Sequence, residues 1–313
     1  MIRLLLNSAS KGQKLSILIY HQVVQEEEFR KAFDPSQREF DRQMGLISKY
    51  FHPMGLIEAI NALRNGTLPE RAIAVTFDDG YANNYHTALP ILQKHGIPAT
   101  FFIASEFLNG GIMWNDAVLE TFMRSHGGLD LQEANLGRFP PAKGEERLKQ
   151  AQEVLNLLKR LPFEERTEKV AEITRSRALP DNLMMTDDHV RKLHDAGMEI
   201  GGHTLSHPIL TRVSLDEAYK QIIQNKQQLE RIIGAPLRSF AYPNGRPDQD
   251  YNKKITELVS QAGYEIAVTT SAGVSTRDTP VLELPRYTPW RRKPRGFLTQ
   301  MLTNYRTEPL FSS

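Results

Sequence analysis

The sequence of 313 residues contains no cysteine. This absence excludes disulfide bonds, a thiolate nucleophile, cysteine-ligated zinc and iron–sulfur clusters. A metal ion bound by this chain would therefore have histidine, aspartate or glutamate ligands. The absence of cysteine does not indicate whether the protein works in an oxidising or a reducing compartment.

An excess of one charge is also missing, because 39 Lys and Arg residues stand against 37 Asp and Glu residues, a formal net charge of +2. The chain does not have the bulk charge of a strongly basic nucleic-acid binder, and we expect no nucleic-acid partner. Hydrophobic residues make up 40% and charged residues 24% of the sequence, which is typical of a globular protein.

Long apolar runs are absent as well. No segment reaches the roughly 18 consecutive apolar residues that a membrane span needs, so we expect no transmembrane segment. Near the N-terminus only Leu4–Leu6 are apolar in a row, short of the about 7–15 residues in a secretory signal. The default expectation is a cytoplasmic location, with association at a membrane surface as an alternative.

What the sequence does have is an alternation of helical and strand patterns. Glycines end three amphipathic stretches and are each followed by a β-rich run: Gly96 by IPATFFIA, Gly197 by MEIGG and Gly263 by YEIAVTT. This order predicts parallel βαβ units. Further strand candidates are 15–20, 72–77, 238–242 and 281–284, and helix candidates are 36–50, 56–65, 83–94, 186–195, 214–233 and 248–261. The count of about seven strands is below that of a regular eightfold barrel.

The alternation stops between about residues 109 and 181. Gly-Gly and Pro-Pro pairs occur there, followed by a charged helical stretch over 144–177 that is interrupted at Leu161-Pro162. We interpret this region as a helical insertion on one loop of a single α/β domain that spans residues 1–313.

Two adjacent carboxylates form the first chemical signal. Thr76-Phe77-Asp78-Asp79-Gly80 follows the apolar run AIAV. Burying both carboxylates is costly without a cation or a shared proton, and the carboxyl end of a parallel strand is the active face of a barrel. A solvated Asp-Asp-Gly turn is the alternative interpretation.

Two histidines four residues apart form the second signal. His203 and His207 in GGHTLSHP follow another strand candidate. On one side of a helical turn, they would lie close enough to share a metal ion, and the preceding glycines would let the backbone approach a ligand closely. Two imidazoles and one carboxylate make a site for hydrolytic zinc or non-haem iron. Alone, a pair of histidines at this spacing is more often structural or on the surface than a metal site.

Weaker signals lie at other predicted strand ends. His21 ends the first strand as Tyr20-His21, either as a titratable group on the same rim or as a partly buried, hydrogen-bonded side chain. Tyr242 and Asn244 lie in a Tyr-Pro-Asn-Gly sequence, which is also typical of an ordinary tight turn.

Two further signals lie away from the predicted strand ends. Trp114 could stack on a sugar or simply pack. The basic run 291–295 could face phosphate, a membrane surface or solvent.

Taken in order, TFDDG, HTLSH about 125 residues later and the YPNG turn resemble the polysaccharide deacetylases of carbohydrate esterase family four. The resemblance covers roughly residues 14–110 and 183–290 and implies a distorted (β/α) barrel. It implies that Asp79, His203 and His207 hold the metal, and that Asp78 is the general base. It also implies that a backbone N–H in the turn after Tyr242, here that of Asn244, stabilises the oxyanion.

The sequence departs from the family pattern in two places. The arginine of the usual third motif is absent, and Leu284-Pro285-Arg286 stands where the family has a late histidine that acts as the acid. His21 is the candidate replacement acid, because a subset similar to the poly-N-acetylglucosamine deacetylases begins with a strand that ends in Tyr-His. Arg286 is the candidate replacement for the missing arginine, since its charge would keep Asp78 ionised.

The implied function is metal-dependent removal of N-acetyl groups from amino sugars of a polysaccharide or its precursor. The substrate would be an N-acetylated glycan or a lipid- or nucleotide-linked sugar. Zinc is the first metal candidate, and cobalt, nickel or iron also suit the ligands. Two alternatives stay open: a related C–N hydrolase of a non-sugar amide, and a non-catalytic carbohydrate-binding barrel that kept its metal. Location and substrate conflict mildly, because polymer deacetylases usually act outside the cytoplasm.

Overall fold

The computed structural model describes residues 2–25, 29–175 and 177–313. Their strands are β1 (Ser16–Tyr20), β2 (His52–Pro53), β3 (Ala72–Phe77), β4 (Ala99–Ile103), β5 (Leu129–Asp130), β6 (Arg138–Phe139), β7 (Glu199–Gly202), β8 (Ser239–Ala241) and β9 (Ile266–Val268). Their α-helices are α1 (Ile2–Ala9), α2 (Gln37–Tyr50), α3 (Leu56–Arg64), α4 (Leu89–His95), α5 (Trp114–Arg124), α6 (Gly144–Leu158), α7 (Phe163–Thr174), α8 (Asp187–Asp195), α9 (Leu215–Ile233), α10 (Lys253–Gln261) and α11 (Pro294–Asn304).

The chain divides into two compact units, residues 1–108 with 185–313, and residues 109–184. The first unit carries a seven-stranded parallel sheet in the order β1-β3-β4-β7-β8-β9, with β2 beside the start of β3. The sheet curls into a distorted α/β barrel flanked by helices, so the predicted fold class is confirmed. None of the helices in the described residues has the length and apolar content to cross a membrane.

The core lies on both faces of the sheet. Ile73, Val75 and Phe77 of β3 belong to one apolar cluster, whereas Ala72 and Ala74 belong to a second that includes side chains of α3. A strand buried on both sides needs apolar residues at every position, which explains the continuous run AIAV in the sequence.

An irregular segment closes the sheet between its two outer strands. Leu284 forms backbone hydrogen bonds with β9 and Tyr287 with β1, both at parallel bridges. The prediction of a regular strand over Val281–Leu284 is wrong, because residues 281–283 form a turn. Pro285 lacks the N–H that a ladder needs, which favours this irregular closure.

Two helix predictions also need correction. The helix expected from Asp248 starts at Lys253, because Asn252 caps it and Asp248 has a left-handed φ of 59°. The helix expected over residues 83–94 consists of a widened π-type turn, Asn84–Ala88, followed by α4. Pro90 lies at the start of α4, where its missing N–H costs little.

The second unit contains β5, β6, α5, α6 and α7. The two short strands form an antiparallel pair, and the buried Arg147 of α6 donates hydrogen bonds to the carbonyls of Ser125 and Gly127. The predicted break at Leu161-Pro162 separates α6 from α7. Ser176, at the end of the predicted helical stretch, lies outside the described residues.

Candidate functional site

Asp78 and Asp79 lie directly after β3, and both carboxylates are buried. Successive side chains normally alternate between the two faces of a sheet. Here Asp79 has a left-handed φ of 77° and Gly80 a φ of 93°, so the chain turns sharply at the strand end. A non-glycine residue in this conformation costs free energy and is often found at functional sites. The two acids are therefore part of a buried site, and the solvated-turn alternative is wrong.

His203 and His207 come together through a loop. The sequence predicted a helical turn, but Thr204 and His207 have left-handed φ values of 65° and 54°. The Thr204 hydroxyl accepts a hydrogen bond from the His207 N–H at 3.1 Å and fixes the loop. The His203 Nδ1 lies 2.7 Å from the Ala241 carbonyl oxygen, which leaves Nε2 to face the acids.

Asp79, His203 and His207 are arranged as ligands of a metal ion. The Asp79 Oδ1 atom lies 3.4 Å from His203 Nε2 and 3.6 Å from His207 Nε2, and one ligand atom of each residue lies within 4.8 Å of the others. Asp79 Oδ1 is buried and receives no hydrogen bond from the described residues. A buried acceptor without a donor is costly, and a divalent cation would satisfy it. The three residues therefore fit a metal.

The surroundings shift the pKa values of these groups. Burial acts to raise the pKa of Asp79, but the neighbouring imidazoles of His203, His207 and His21 together outweigh it, so the pKa lies far below its usual range. Burial lowers the pKa of His207 to about 4. At neutral pH Asp79 is thus a carboxylate and His207 a neutral imidazole, the forms that bind metals. Burial acts to lower the pKa of His203, but the Asp78 and Asp79 carboxylates outweigh it and raise the pKa, so His203 would release a proton on binding a metal.

The glycines before His203 serve packing. A Cβ at Gly201 would overlap the ring of Phe102, and one at Gly202 would overlap the hydroxyl of Tyr264. We expected these glycines to let a ligand approach the backbone. In the structure, glycine is required at both positions because β7 packs closely against its neighbours.

Arg286 forms a fully buried ion pair with Asp78. Its Nη1 and Nη2 each lie 2.6 Å from one oxygen of the carboxylate, while its Nε donates to the Thr269 carbonyl and Nη1 also to the Thr76 hydroxyl. Burial acts to raise the pKa of Asp78, but the Arg286 guanidinium, together with smaller effects of His203 and His21, outweighs it and lowers the pKa. Asp78 is therefore held as a carboxylate.

His21 lies on the same rim as the acids. Tyr20 is opposite Phe77 in the register of β1 and β3, so His21 is level with Asp78. Its side chain is half-buried, and its charge lowers the pKa values of both Asp78 and Asp79. The Asn84 amide donates to the His21 carbonyl at 2.8 Å and holds the backbone in place.

Asp34 is a neighbour of His21 that the sequence analysis missed. Burial raises the pKa of Asp34 and the charge of His21 lowers it, with burial the larger effect. Its Oδ1 accepts a hydrogen bond from the Gln22 N–H at 3.3 Å. No local motif marked this residue, because only folding brings the segment before α2 to the end of β1.

Asn225 was missed for the same reason. This buried residue of α9 accepts a hydrogen bond from the His203 N–H at 3.1 Å. Its amide donates to the Ile103 carbonyl at 2.9 Å and the Ser105 hydroxyl at 2.8 Å. Asn225 thus joins the carboxyl ends of β4 and β7 beside the proposed metal ligand.

The turn after β8 places Tyr242 and Asn244 differently. Tyr242 is completely buried, stacks on Tyr251 at 4.1 Å and donates its hydroxyl to the Leu282 carbonyl, so its side chain supports the turn from within the core. Asn244 has a left-handed φ of 58°, and its N–H finds no acceptor among the described residues. The oxyanion role that the resemblance implies for that N–H stays a prediction.

Trp114 lies in the second unit, at the start of α5. Its half-buried ring lies 4.7 Å from the Arg166 guanidinium, which also faces Phe163 at 5.5 Å. These contacts favour the packing interpretation of Trp114 over sugar stacking.

Comparisons with known proteins identify a family for the chain. The family model for polysaccharide deacetylase matches residues 65–267, well over half of the chain. The protein YxkH of Bacillus subtilis (strain 168) is 21% identical over 282 residues, which cover 88% of this chain and 71% of YxkH.

Two solved structures are similar in fold. The Streptococcus pyogenes deacetylase PplD in complex with acetate has a TM-score of 0.61 at 20% identity, covering 92% of this chain and 98% of that one. IcaB from Ammonifex degensii has a TM-score of 0.60 at 18% identity, covering 94% and 97%.

Proposed function

Because this chain belongs to the polysaccharide deacetylase family, we propose that it hydrolyses N-acetyl groups on amino sugars of a polysaccharide or its precursor. The convergence of Asp79, His203 and His207 beside the Asp78–Arg286 pair is the observation that carries the proposal. The site would thus combine a set of metal ligands with a separate ionised carboxylate, that of Asp78. The substrate class includes N-acetylated glycans and lipid- or nucleotide-linked sugars.

We assign the metal to Asp79, His203 and His207. Zinc is the first candidate for this ligand set, and cobalt, nickel or iron also suit it. When bound, such an ion would lower the pKa of water and polarise the acetyl carbonyl.

Asp78 is the proposed general base. A water that attacks the acetyl carbon must lose a proton, and Asp78 is ionised and next to the ligands, so it can accept that proton. The two hydrogen bonds from Arg286 orient the carboxylate. The Asn244 N–H is the proposed donor to the negative oxygen of the tetrahedral intermediate.

His21 is the proposed general acid. When the C–N bond breaks, the sugar nitrogen leaves as an amine and needs a proton, and His21 lies level with Asp78 on the same rim. The carboxyl group of Asp34 is a charged neighbour of His21 in this part of the site. The products are acetate and a sugar with a free amino group.

A non-catalytic carbohydrate-binding barrel is the second candidate, supported by the missing late histidine. A protein that only binds a metal and a glycan does not need an ionised carboxylate beside the ligands. The Asp78–Arg286 pair therefore favours the hydrolase. A non-sugar amide stays an alternative substrate. If the substrate is a glycan, it could be a cytoplasmic precursor or an exported polymer.

Acetate release from N-acetylated chito-oligosaccharides by the zinc-loaded protein tests the proposal. We expect Asp78→Asn and His21→Ala each to lower the rate by about 10²- to 10⁴-fold. Asp195→Asn and His52→Ala change exposed residues of the same types and serve as matched controls. Binding of zinc and oligosaccharide without acetate release would support the binding protein instead, and unchanged rates in either site variant would remove that assignment.

A further inference from the structure

Trp290 is an exposed indole four residues after Arg286, the partner of Asp78. Its side chain is 65% exposed, whereas most of the other large apolar side chains among the described residues are buried. The segment that carries it runs parallel to β1, with Tyr287 paired to Leu18. The Trp290 N–H bonds back to the Thr288 carbonyl at 3.0 Å, so the segment turns away after its pairing with β1. This turn lies beyond the bridge to Leu18, toward the carboxyl end of β1 that His21 follows.

The loop around Trp290 is held from both sides. Gln300 of α11 donates to the Tyr287 hydroxyl at 3.1 Å and accepts from the Arg291 N–H at 2.6 Å. Arg292 donates to the carbonyls of Phe33 and Asp34 and to the Glu39 carboxylate. The indole is thus presented on an ordered loop that is tied to the segment beside His21. A rigid exposed aromatic side chain is typical of a binding site.

The charges beside Trp290 restrict its ligand. Arg291, Lys293 and Arg295 are all exposed, next to the indole in the chain. These cations disfavour a positively charged ligand. An N-acetylated amino sugar is neutral, whereas the deacetylated sugar carries an ammonium group. An indole also packs well on the apolar face of a sugar ring.

We propose that Trp290 forms a subsite for a second, still acetylated sugar next to the one that is hydrolysed. This inference rests on the proposed function and makes the substrate a chain of several sugars. Trp290 binds substrate by stacking and takes no part in bond breaking. The basic side chains next to it favour acetylated over deacetylated neighbours.

Kinetics with substrates of different length test the subsite. We expect Trp290→Ala to raise KM for N-acetylglucosamine pentamer about 3- to 10-fold with kcat unchanged, because an aromatic contact contributes about 0.5–1.5 kcal/mol. KM for N-acetylglucosamine itself should not change, and Trp290→Tyr should keep most of the affinity for the pentamer. Equal KM values for wild type and Trp290→Ala with the pentamer would overturn the subsite.

Fluorescence provides a test that does not depend on turnover. The chain has two tryptophans, so Trp114→Phe leaves Trp290 as the only reporter. We expect a saturable change in emission with the acetylated pentamer and a weaker one with the glucosamine pentamer. In the reciprocal variant Trp290→Phe, the emission of Trp114 should stay constant.

The acetate-release assay and the fluorescence titration together distinguish a failure of the proposed deacetylation from a failure of the proposed subsite. A response of Trp290 without acetate release would refute the proposed deacetylation and keep the subsite. Acetate release without a response of Trp290 would do the reverse. A response to anionic lipid vesicles and not to the pentamer would overturn the sugar subsite in favour of a membrane contact.

Discussion

Arg286 and Asp78 depend on each other, since each buried charge is balanced by its partner. We expect Arg286→Ala to destabilise the protein by about 3–5 kcal/mol, because it leaves the Asp78 carboxylate buried and unpaired. Removing the carboxylate as well, in Asp78→Asn/Arg286→Met, should restore part of that loss. Denaturant unfolding of the single and double variants measures both effects. Additive losses would show that the two residues do not interact energetically.

Asn225 positions a proposed metal ligand through the backbone. Asn225→Ala would remove the acceptor of the His203 N–H, and we expect zinc affinity to fall about 10- to 100-fold, as for other groups that orient ligands. Gln228→Ala is the matched control, because Gln228 lies one turn further along α9 and bonds Ser105 without touching His203. Competition with a chromogenic chelator measures the affinity. Equal losses in both variants would point to a general effect on α9.

At the residue scale, the sequence predicts groups that belong to local motifs and misses those that act across the fold. Asp78 and Asp79 could be found because two carboxylates directly follow a buried strand. Arg286 could be proposed only because the family that the sequence resembles has an arginine in its third motif, where this sequence has none. Asp34 and Asn225 have no motif, since their importance comes from a hydrogen bond or a charge interaction with a distant segment.

His189 makes the start of α8 sensitive to pH. Its Nδ1 accepts the Thr186 N–H while the Thr186 hydroxyl accepts the His189 N–H, both at 3.3 Å. Burial, with a smaller effect of His86, lowers the pKa of His189. The neutral cap thus stabilises the fold above about pH 6.5, and this contribution is lost as the pH falls through the lower folded-state pKa.

A glutamine in place of His189 tests this sensitivity, because Gln keeps an acceptor and does not titrate. Between pH 7.5 and pH 5, we expect Tm of His189→Gln to fall about 2 °C less than that of the wild type, as a cap contributes about 1 kcal/mol. Thermal unfolding followed by circular dichroism at both pH values measures the difference. Identical falls would show that the cap does not titrate in this range.

At the element scale, the strands were predictable where buried apolar residues run continuously, as in Ala72–Phe77. The predictions failed where backbone conformation depends on tertiary contacts. The loop from His203 to His207 takes two left-handed residues that no sequence periodicity reveals. Residues 281–287 are held by single bridges to β9 and β1, and Pro285 prevents a longer ladder.

At the scale of the whole molecule, the proposed catalytic and metal-binding residues all come from the first compact unit, residues 1–108 with 185–313. The second unit has its own apolar interior, with Val118, Phe122 and Val154 buried. We therefore propose that residues 109–184 are an insertion into one working domain, as the loss of the β–α alternation in this region suggests.

Replacing residues 110–183 with a short Gly-Ser linker tests that division. We expect the shortened chain to fold and to bind one zinc ion with an affinity within about threefold of the full chain, because loop length adds little to the free energy of folding. Calorimetric titration with zinc measures stoichiometry and affinity, and the Asp79→Asn variant of the same shortened chain is the control without a site. Loss of zinc binding in a shortened chain with a cooperative thermal transition would show that residues 109–184 help to form the metal site.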